Sequence, residues 1–293
     1  MAAQWAPPNS ANRNTDISTA SVTRYSPAPE VHGRIASRPA GPNQTLDTQL
    51  QTSNATIPIT DRAPKCSTCS IGQLCLPVGM SAQDVEKMDA LVQDRVRVRK
   101  GDTLFRLGDP LVALYAIRFG TLKTHVTMED GRSQVTGFYL PGEVVGFDGL
   151  QQMKHTSDAT ALEDTEVCVV RYDEMQRISA SLPSLQHQFM RLMSKEITQD
   201  QVMLITLGSM RAEERLAGFL VNLSERLAAR GYSPSEFVLR MSREEIGSYL
   251  GLKLETVSRL FSRFAEAGLI QVRQRHVKLI DMAGIRQVFG RGC

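Results

Sequence analysis

The chain has 293 residues, of which 42% are hydrophobic, and a net charge of +3, so it is long enough for about two domains with a substantial core. No apolar run approaches the ~18 residues of a membrane span, and the N-terminus lacks the basic-then-apolar order of a signal peptide. These absences predict a cytoplasmic protein that does not enter a membrane. The basic excess lies at the end of the chain, where residues 208–293 hold 14 Lys and Arg against nine Asp and Glu.

The first 80 residues form two parts of different composition. Residues 1–60 are rich in Ser, Thr, Asn, Gln, Pro and Ala, and their few large apolar side chains cannot offset the entropy of ordering, which predicts a disordered extension. Residues 61–80 are a predicted irregular loop with Cys66, Cys69 and Cys75 in the spacing C-x2-C-x5-C. In a reducing compartment such clustered cysteines favour metal binding or redox chemistry over structural disulfides. Three thiolates leave a four-coordinate site one ligand short.

Residues 81–172 have the composition of a small β-domain that begins with a short helix. Ser81 is the predicted N-cap of this helix, whose apolar face comprises Val85, Met88, Leu91 and Val92. Short segments rich in β-branched and aromatic residues then alternate with glycine turns, which predicts an antiparallel barrel or roll. The predicted strands are Thr103–Leu107, Leu114–Arg118, Leu122–Thr127, Gln134–Tyr139 and Glu166–Arg171.

Residues 173–207 are predicted to form a dimerisation helix. A heptad spacing typical of a two-helix coiled coil connects Met190, Met193, Ile197, Asp200, Leu204 and Leu207. Asp200 interrupts this stripe with a carboxylate. It is either a solvent-facing position outside the seam or a deliberate weakness, because two such carboxylates facing each other across a dimer would repel. The second interpretation makes Ile197 and Asp200 the positions of a dimer switch.

Residues 208–293 are predicted to form a helical, basic domain that ends in a β-like stretch. Ser242 and Glu245 form a capping box at the start of one helix, Gly251 marks a turn, and a second helix follows. This order predicts a helix-turn-helix, against the alternative of an ordinary helical hairpin with a charged, solvated face. The residues expected to contact DNA are Glu255, Ser258 and Arg259 at base edges and Arg243, Arg263 and Lys253 at phosphates.

A sensor roll, a long dimer helix and a C-terminal helix-turn-helix, in this order, resemble the CRP/FNR superfamily of bacterial regulators, and within it the oxygen-responsive FNR type. The resemblance covers about Cys66 to Ile280. Its motifs are C-S-I-G-Q-L-C at 69–75, L-Y-A-I-R at 114–118, G-E-V-V-G-F-D at 142–148, A-E-E-R-L-A at 212–217 and E-x-x-S-R at 255–259. It implies an α+β fold: an N-terminal β-roll like that of cyclic-nucleotide-binding domains, a long dimerisation helix and a C-terminal winged helix-turn-helix.

The resemblance also implies a [4Fe–4S] cluster, held by Cys66, Cys69, Cys75 and a distant fourth ligand, Cys168. On its strand context alone, Cys168 would be an inert core thiol. The implied activity is not enzymatic: a cluster-loaded homodimer binds palindromic double-stranded DNA with TTGAT-type half-sites, contacts RNA polymerase and controls anaerobic gene expression. When oxygen destroys the cluster, the monomer is favoured.

Cyclic-nucleotide-binding members of the superfamily carry a Glu and an Arg-Ser/Thr pair in the roll. Residues 146–159 show no such pair, so a cyclic phosphate would lack its charge partner, and we expect no cyclic nucleotide to bind. Related FNR proteins often have a small hydroxyl residue where this chain has Lys253, which cannot cap the recognition helix in that way.

Two alternatives remain open at the level of sequence. Four cysteines could hold zinc as a permanent structural clip without oxygen sensing, since spacing alone does not separate zinc from iron–sulfur. The cluster could instead serve a redox enzyme or an electron carrier, which the helix-turn-helix and the lack of a substrate motif disfavour. The fifth cysteine, Cys293, has no predicted role.

Overall fold

The β-domain consists of two antiparallel sheets, as a roll requires. The computed structural model describes residues 56–58 and 65–290. Its strands here are β1 Thr56–Pro58, β2 Val92–Val98, β3 Thr103–Phe105, β4 Ala113–Phe119, β5 Leu122–Thr127, β6 Ser133–Tyr139, β7 Val144–Val145, β8 Asp158–Ala161 and β9 Thr165–Arg171. They form one sheet of order β1-β2-β9-β4-β7 and another of order β3-β8-β5-β6.

The five-stranded sheet is apolar on both faces, because alternate side chains of a strand point to opposite sides. Tyr115 and Ile117 of β4 pack with Val167 of β9 in the core between the two sheets. Leu114 and Val170 belong to a second core on the other face, which includes residues of the loop at 65–80. We call this segment the cysteine loop. The second core is the one that matters for function, since it joins the cysteine loop to the sheet.

The structure confirms the five predicted strands and corrects the segments around them. Helix α1 spans Ala82–Met88, and its cap is as predicted, with Ser81 Oγ accepting from the Asp84 N–H at 3.2 Å. Val92, predicted on this helix, begins β2 instead. Strands β7 and β8 were missed because they are too short to show an alternation.

The predicted disordered extension 1–60 lies outside the described residues except at 56–58, where a strand pairs with β2 against the prediction. Cys293 also lies outside them.

Two helices, not one, occupy the predicted stretch 173–207. Helix α2 spans Tyr172–Ser179 and α3 spans Pro183–Ser209. The break follows from Pro183, which excludes the helical conformation at the preceding residue but is well suited to the first turn of a new helix. Helix α3 nevertheless has 27 residues. Among the described helices, none is long and apolar enough to cross a bilayer.

The C-terminal domain is a winged helix-turn-helix. It contains α4 Ala212–Ala228, β10 Glu236–Val238, α5 Arg243–Leu250, α6 Leu254–Glu266, β11 Ile270–Arg273, β12 His276–Leu279 and α7 Met282–Gly290, with a sheet of order β10-β12-β11. The capping box of Ser242 and Glu245 begins α5 as predicted. Gly251 ends it at φ 62°, a left-handed conformation that favours glycine. This turn sets α6 across α5.

Candidate metal centre and nucleic-acid interface

The three cysteines of the cysteine loop lie on tight turns. The Cys69 N–H donates to the Cys66 carbonyl at 3.2 Å, and Cys75 follows a single 3₁₀ turn. Asp89, just after α1, accepts from the backbone N–H of Ser67 at 2.9 Å and from its hydroxyl. Local turns and this one anchor therefore fix the spacing of the thiols.

Cys168 lies on β9, directly beneath the cysteine loop. Its cross-strand neighbours are Arg95 on β2 and Ala116 on β4. One small cavity between the loop and the sheet is lined by all four cysteines, Cys66, Cys69, Cys75 and Cys168, none of which forms a disulfide. The fold thus brings the distant thiol to the three local ones.

Burial disfavours the anionic form of these thiols. Loss of solvation raises the pKa of Cys66 and of Cys75 to about 12, and burial raises the pKa of Cys168 as well, although Arg95 opposes the rise. Thiolates, not thiols, bind metals. A cationic centre would therefore be needed to hold these cysteines deprotonated.

The arrangement of the donors suits a cluster better than a single ion. Within the described part of the chain, no three His, Cys, Asp or Glu side chains converge closely enough to hold one metal ion, whereas zinc requires sulfurs about 2.3 Å from the metal. A cubane takes one thiolate at each iron and spreads its ligands more widely. The enclosed space is about 20 Å³, room for about one water molecule, so the cysteine loop would have to move outward to admit a cluster.

The cysteine loop shares its core with the start of the long helix α3. Leu76 is 1% exposed and packs in the same cluster as Leu185 of α3. The Ser184 hydroxyl also donates to the carboxylate of Asp84 on α1 at 3.0 Å. A displacement of the loop would therefore act on the first turns of α3.

A second contact leads from the cysteine loop to the C-terminal domain. Gly142, in the turn after β6, lies so close to Leu74 that a Cβ at this position would be 2.8 Å from that residue's Cβ. Its neighbour Glu143 is buried and accepts from Arg226 Nε at 3.1 Å and from Arg230 Nη2 at 2.7 Å. One turn of the roll therefore touches the cysteine loop on one side and the C-terminal domain on the other.

The helix-turn-helix itself also packs on the roll. Lys123 Nζ of β5 lies 2.8 Å from Glu245 Oε1 in the capping box of α5. On β6, the Val135 N–H donates to Ser248 Oγ at 2.8 Å, and the Phe138 ring packs against α4 and α5. The first helix of the motif is thus held by polar and apolar contacts with the sensor sheet.

Helix α6 presents its predicted base-contacting residues to solvent. Glu255, Ser258 and Arg259 are exposed, whereas Val257 and Leu260 on the opposite face are buried. This division gives α6 a solvent face near its N-terminus, the part of a recognition helix that enters the major groove.

The three residues predicted to contact phosphates lie in different settings. The Arg243 guanidinium carbon is 3.3 Å from the centroid of the Phe261 ring, and Arg263 Nη1 is 2.7 Å from Glu213 Oε1. Lys253 is the exposed N-cap of α6, and its side chain makes no cap hydrogen bond. Of the three, Lys253 is therefore the one placed for a phosphate without first leaving an intramolecular partner.

The outer half of α3 carries an exposed apolar stripe. Met190, Ile197 and Leu204 recur every seven residues and are 59%, 56% and 72% exposed. Asp200 is exposed between them. Such a stripe is typical of a helix that pairs with a second one, and it places Ile197 and Asp200 on the surface where the predicted dimer switch requires them.

Comparisons with known proteins decide the family. A model described as "Crp-like helix-turn-helix domain" matches residues 214–288, and one described as "Cyclic nucleotide-binding domain" matches residues 95–181. The transcriptional regulatory protein btr of Bordetella pertussis is 60% identical over 235 residues, which are 80% of this chain and 97% of that protein. The fumarate and nitrate reduction regulatory protein of Escherichia coli is 44% identical over 225 residues, 77% and 90% of the two chains. The chain belongs to the FNR type of the CRP/FNR family of transcription regulators.

A solved structure agrees with this assignment of the FNR-type regulator. FixK2 from Bradyrhizobium japonicum has a TM-score of 0.62 and 27% identity, and the match covers 66% of this chain and 96% of that one. The family regulates transcription and is not a family of enzymes. The roll, the long helix and the winged helix-turn-helix therefore form a known regulatory architecture.

In this FNR-type regulator, one of its own carboxylates fills the polar end of residues 146–159. Asp148 accepts from the N–H of Thr156 at 2.8 Å and from the N–H and hydroxyl of Ser157, each at 3.0 Å. The Nδ1 atom of buried His155 lies 3.2 Å from the same side chain. Successive backbone N–H groups of this kind are also what an anion such as phosphate would bind.

Several residues that shape these sites of the regulator escaped the sequence analysis. Arg95 lies on the strand β2 that was not predicted, and so its place beside Cys168 could not be inferred. Glu143 meets Arg226 and Arg230, which follow 83 and 87 residues later. The G-E motif at 142–143 drew attention to this Glu, but no local pattern pairs a lone carboxylate with distant arginines.

Proposed function

We propose that this FNR-type regulator responds to oxygen and controls anaerobic gene expression. In its active form it holds a [4Fe–4S] cluster on Cys66, Cys69, Cys75 and Cys168, dimerises, and binds palindromic DNA with TTGAT-type half-sites in the cytoplasm. The shared cavity of the three loop cysteines and Cys168 is the observation that supports this most. The name of the Escherichia coli relative supports an anaerobic role, since fumarate and nitrate replace oxygen as electron acceptors.

The bound cluster would supply an oxygen-labile cross-link between the cysteine loop and β9. The chain's own residues do the rest. Leu76 transmits the position of the loop to Leu185 at the start of α3, so that the exposed stripe around Ile197 meets its counterpart on a second copy. Without the cross-link, repulsion between the two Asp200 carboxylates favours monomers.

The paired C-terminal domains would place two copies of α6 about one DNA turn apart, as a palindrome requires. Arg259 is suited to a bidentate contact with guanine and Glu255 to the amino group of cytosine, with Ser258 between them. Lys253, and Arg243 and Arg263 once released from Phe261 and Glu213, would bind phosphates. The exposed turn at 128–133 between β5 and β6 is the proposed contact with RNA polymerase.

Cyclic nucleotides are not part of this proposal. The Asp148 carboxylate already accepts from the donors that a phosphate would use, and it would repel one.

The test of this function is purification without oxygen. We expect a brown protein that binds the palindrome, bleaches in air and loses its DNA affinity as the colour fades. A colourless zinc protein with unchanged DNA binding in air would contradict oxygen sensing and favour a structural clip. A brown protein without DNA affinity would favour an electron carrier.

Arg259→Ala should lower the affinity for the palindromic site by about 10- to 100-fold per half-site, because a bidentate guanine contact is worth about 1–3 kcal/mol. It should also relax discrimination at that base pair. Lys253→Ala is the matched variant, which we expect to weaken all sequences about equally and to flatten the salt dependence. Fluorescence anisotropy with wild-type and single-substituted sites measures both. Equal losses on every sequence for Arg259→Ala would contradict base recognition by this residue.

Asp200→Ala should give a dimer that tolerates air better than the wild type. Removal of two facing carboxylates relieves a repulsion that we expect to be worth about tenfold in the dimer dissociation constant, or about 1.4 kcal/mol. Analytical ultracentrifugation in air measures the dimer fraction. Gln199→Ala, an exposed neighbour outside the stripe, is the control. An aerobic dimer fraction no higher than that of this control would exclude the repulsion.

A further inference from the structure

Cys168 lies in a charged patch on one face of the five-stranded sheet. Arg95 is its partner across β2 and β9, and Glu166 precedes it by two residues, opposite Arg97. Residues two apart on a strand share a face, so Arg95, Arg97, Glu166 and Cys168 lie on the same side. Arg118, two residues after Ala116 on β4, completes the patch. Three arginines thus surround one carboxylate and one thiol.

Among these arginines, Arg95 is the one that lines the cysteine cavity. Its side chain is 22% exposed, and its Nε atom is buried without a hydrogen-bond partner. The only other cation that lines this cavity among the described residues is Lys65, which is exposed. The guanidinium group therefore brings a fixed positive charge, which cannot be lost at physiological pH, to the edge of the thiol site.

Glu166 holds this arginine from the other side. Its side chain is 9% exposed and accepts from Arg118 Nη1 at 2.7 Å and from Arg97 Nε at 3.4 Å. Arg95 Nε lies 3.9 Å from the same carboxylate, which is an ion pair without a hydrogen bond. The pair restrains Arg95 beside Cys168, and leaves its Nε donor free for another acceptor.

We propose that Arg95 is the internal counter-charge of the cysteine centre, that it donates to a sulfur of the bound cluster, and that Glu166 is a positioning residue that acts through it. This inference rests on the proposed function. Four thiolates carry more negative charge than a cubane core carries positive charge, so the loaded site is anionic. Burying an uncompensated charge is costly, and a donor to cluster sulfurs stabilises the more negative, reduced state and raises the reduction potential.

The test compares anaerobically reconstituted wild-type protein with Arg95→Gln, Arg95→Lys, Glu166→Gln and the control Arg97→Gln. Arg97 pairs with the same carboxylate but does not line the cavity. Redox titration should show Arg95→Gln shifted by about tenfold in the reduction equilibrium toward the oxidised state, which is a potential lower by about 59 mV for one electron. Arg95→Gln should also lose iron to a chelator several-fold faster. Arg95→Lys should recover most of both properties, Glu166→Gln should lie between, and Arg97→Gln should match the wild type.

The proposal is overturned if Arg95→Gln and Arg97→Gln both match the wild type, or if Arg95→Lys fails as completely as Arg95→Gln, since packing rather than charge would then be responsible. If Arg95→Gln takes up no cluster but Arg95→Lys does, the need for the charge is supported. Failure of the wild-type chain to take up a cluster would instead contradict the proposed function.

Discussion

Replacing Cys168 with alanine should abolish both the stable cluster and DNA binding under anaerobic conditions. The three cysteines of the cysteine loop would still be close together, but the loop would no longer be attached to β9. Its position would then not be transmitted through Leu76 to the first turns of α3. Iron content, the visible absorbance and binding of the palindromic site measure the two losses, each of which should be at least tenfold, or more than about 1.4 kcal/mol.

Cys293→Ser is the matched control, because it removes a thiol that has no predicted role. It should retain the iron, the colour and the DNA affinity of the wild type. Thermal unfolding of Cys168→Ala without metal should be close to that of the wild type, since alanine also suits a β-strand next to Ala116. If Cys168→Ala retains the cluster and binds DNA without oxygen, the cross-link between loop and sheet is wrong, and a different fourth ligand must be sought.

The contrast between Cys66, Cys69 and Cys75 on one hand and Cys168 on the other defines how far sequence patterns reach. The first three are close along the chain, so their spacing alone predicts a shared ligand. Cys168 joins them only through the pairing of β9 with β2 and β4, which is a long-range property. Its role as a ligand was therefore implied by family resemblance and not by its own strand, where it looks like a core thiol.

The helices give a similar lesson. The capping box at Ser242 and the left-handed Gly251 are local signals, and both predictions are confirmed. The long helix was predicted to be continuous because heptad spacing is insensitive to a single break, although Pro183 marks the start of α3. The interface between roll and C-terminal domain was not predicted at all. It depends on Glu143, whose partners Arg226 and Arg230 are brought close by tertiary packing.

Replacing Glu143 with alanine should destabilise the protein by about 3–5 kcal/mol, because it leaves two buried guanidinium groups without their counter-charge. The side chains of Arg226 and Arg230 are only 19% and 7% exposed. Denaturant unfolding measures this loss. Glu225→Ala is the matched control, since Glu225 forms an equally short pair with Arg286, 2.7 Å, but both side chains are 55% exposed. Such a surface pair should contribute no more than about 1 kcal/mol.

The pH dependence separates a charge effect from a packing effect at Glu143. Burial alone would raise the pKa of this carboxyl, but Arg226 and Arg230 hold it below its usual range. A depressed pKa stabilises the folded state above the ordinary carboxyl pKa, and this stabilisation is lost as the pH falls through the folded value. The difference between wild type and Glu143→Ala should therefore be largest near neutral pH and shrink in acid. A difference that stays constant with pH would point to packing of the turn at Gly142 against Leu74 instead of the ion pair. Because this turn joins the cysteine loop to α4, Glu143→Ala should also weaken the dependence of DNA binding on the cluster, whereas Glu225→Ala should leave it unchanged.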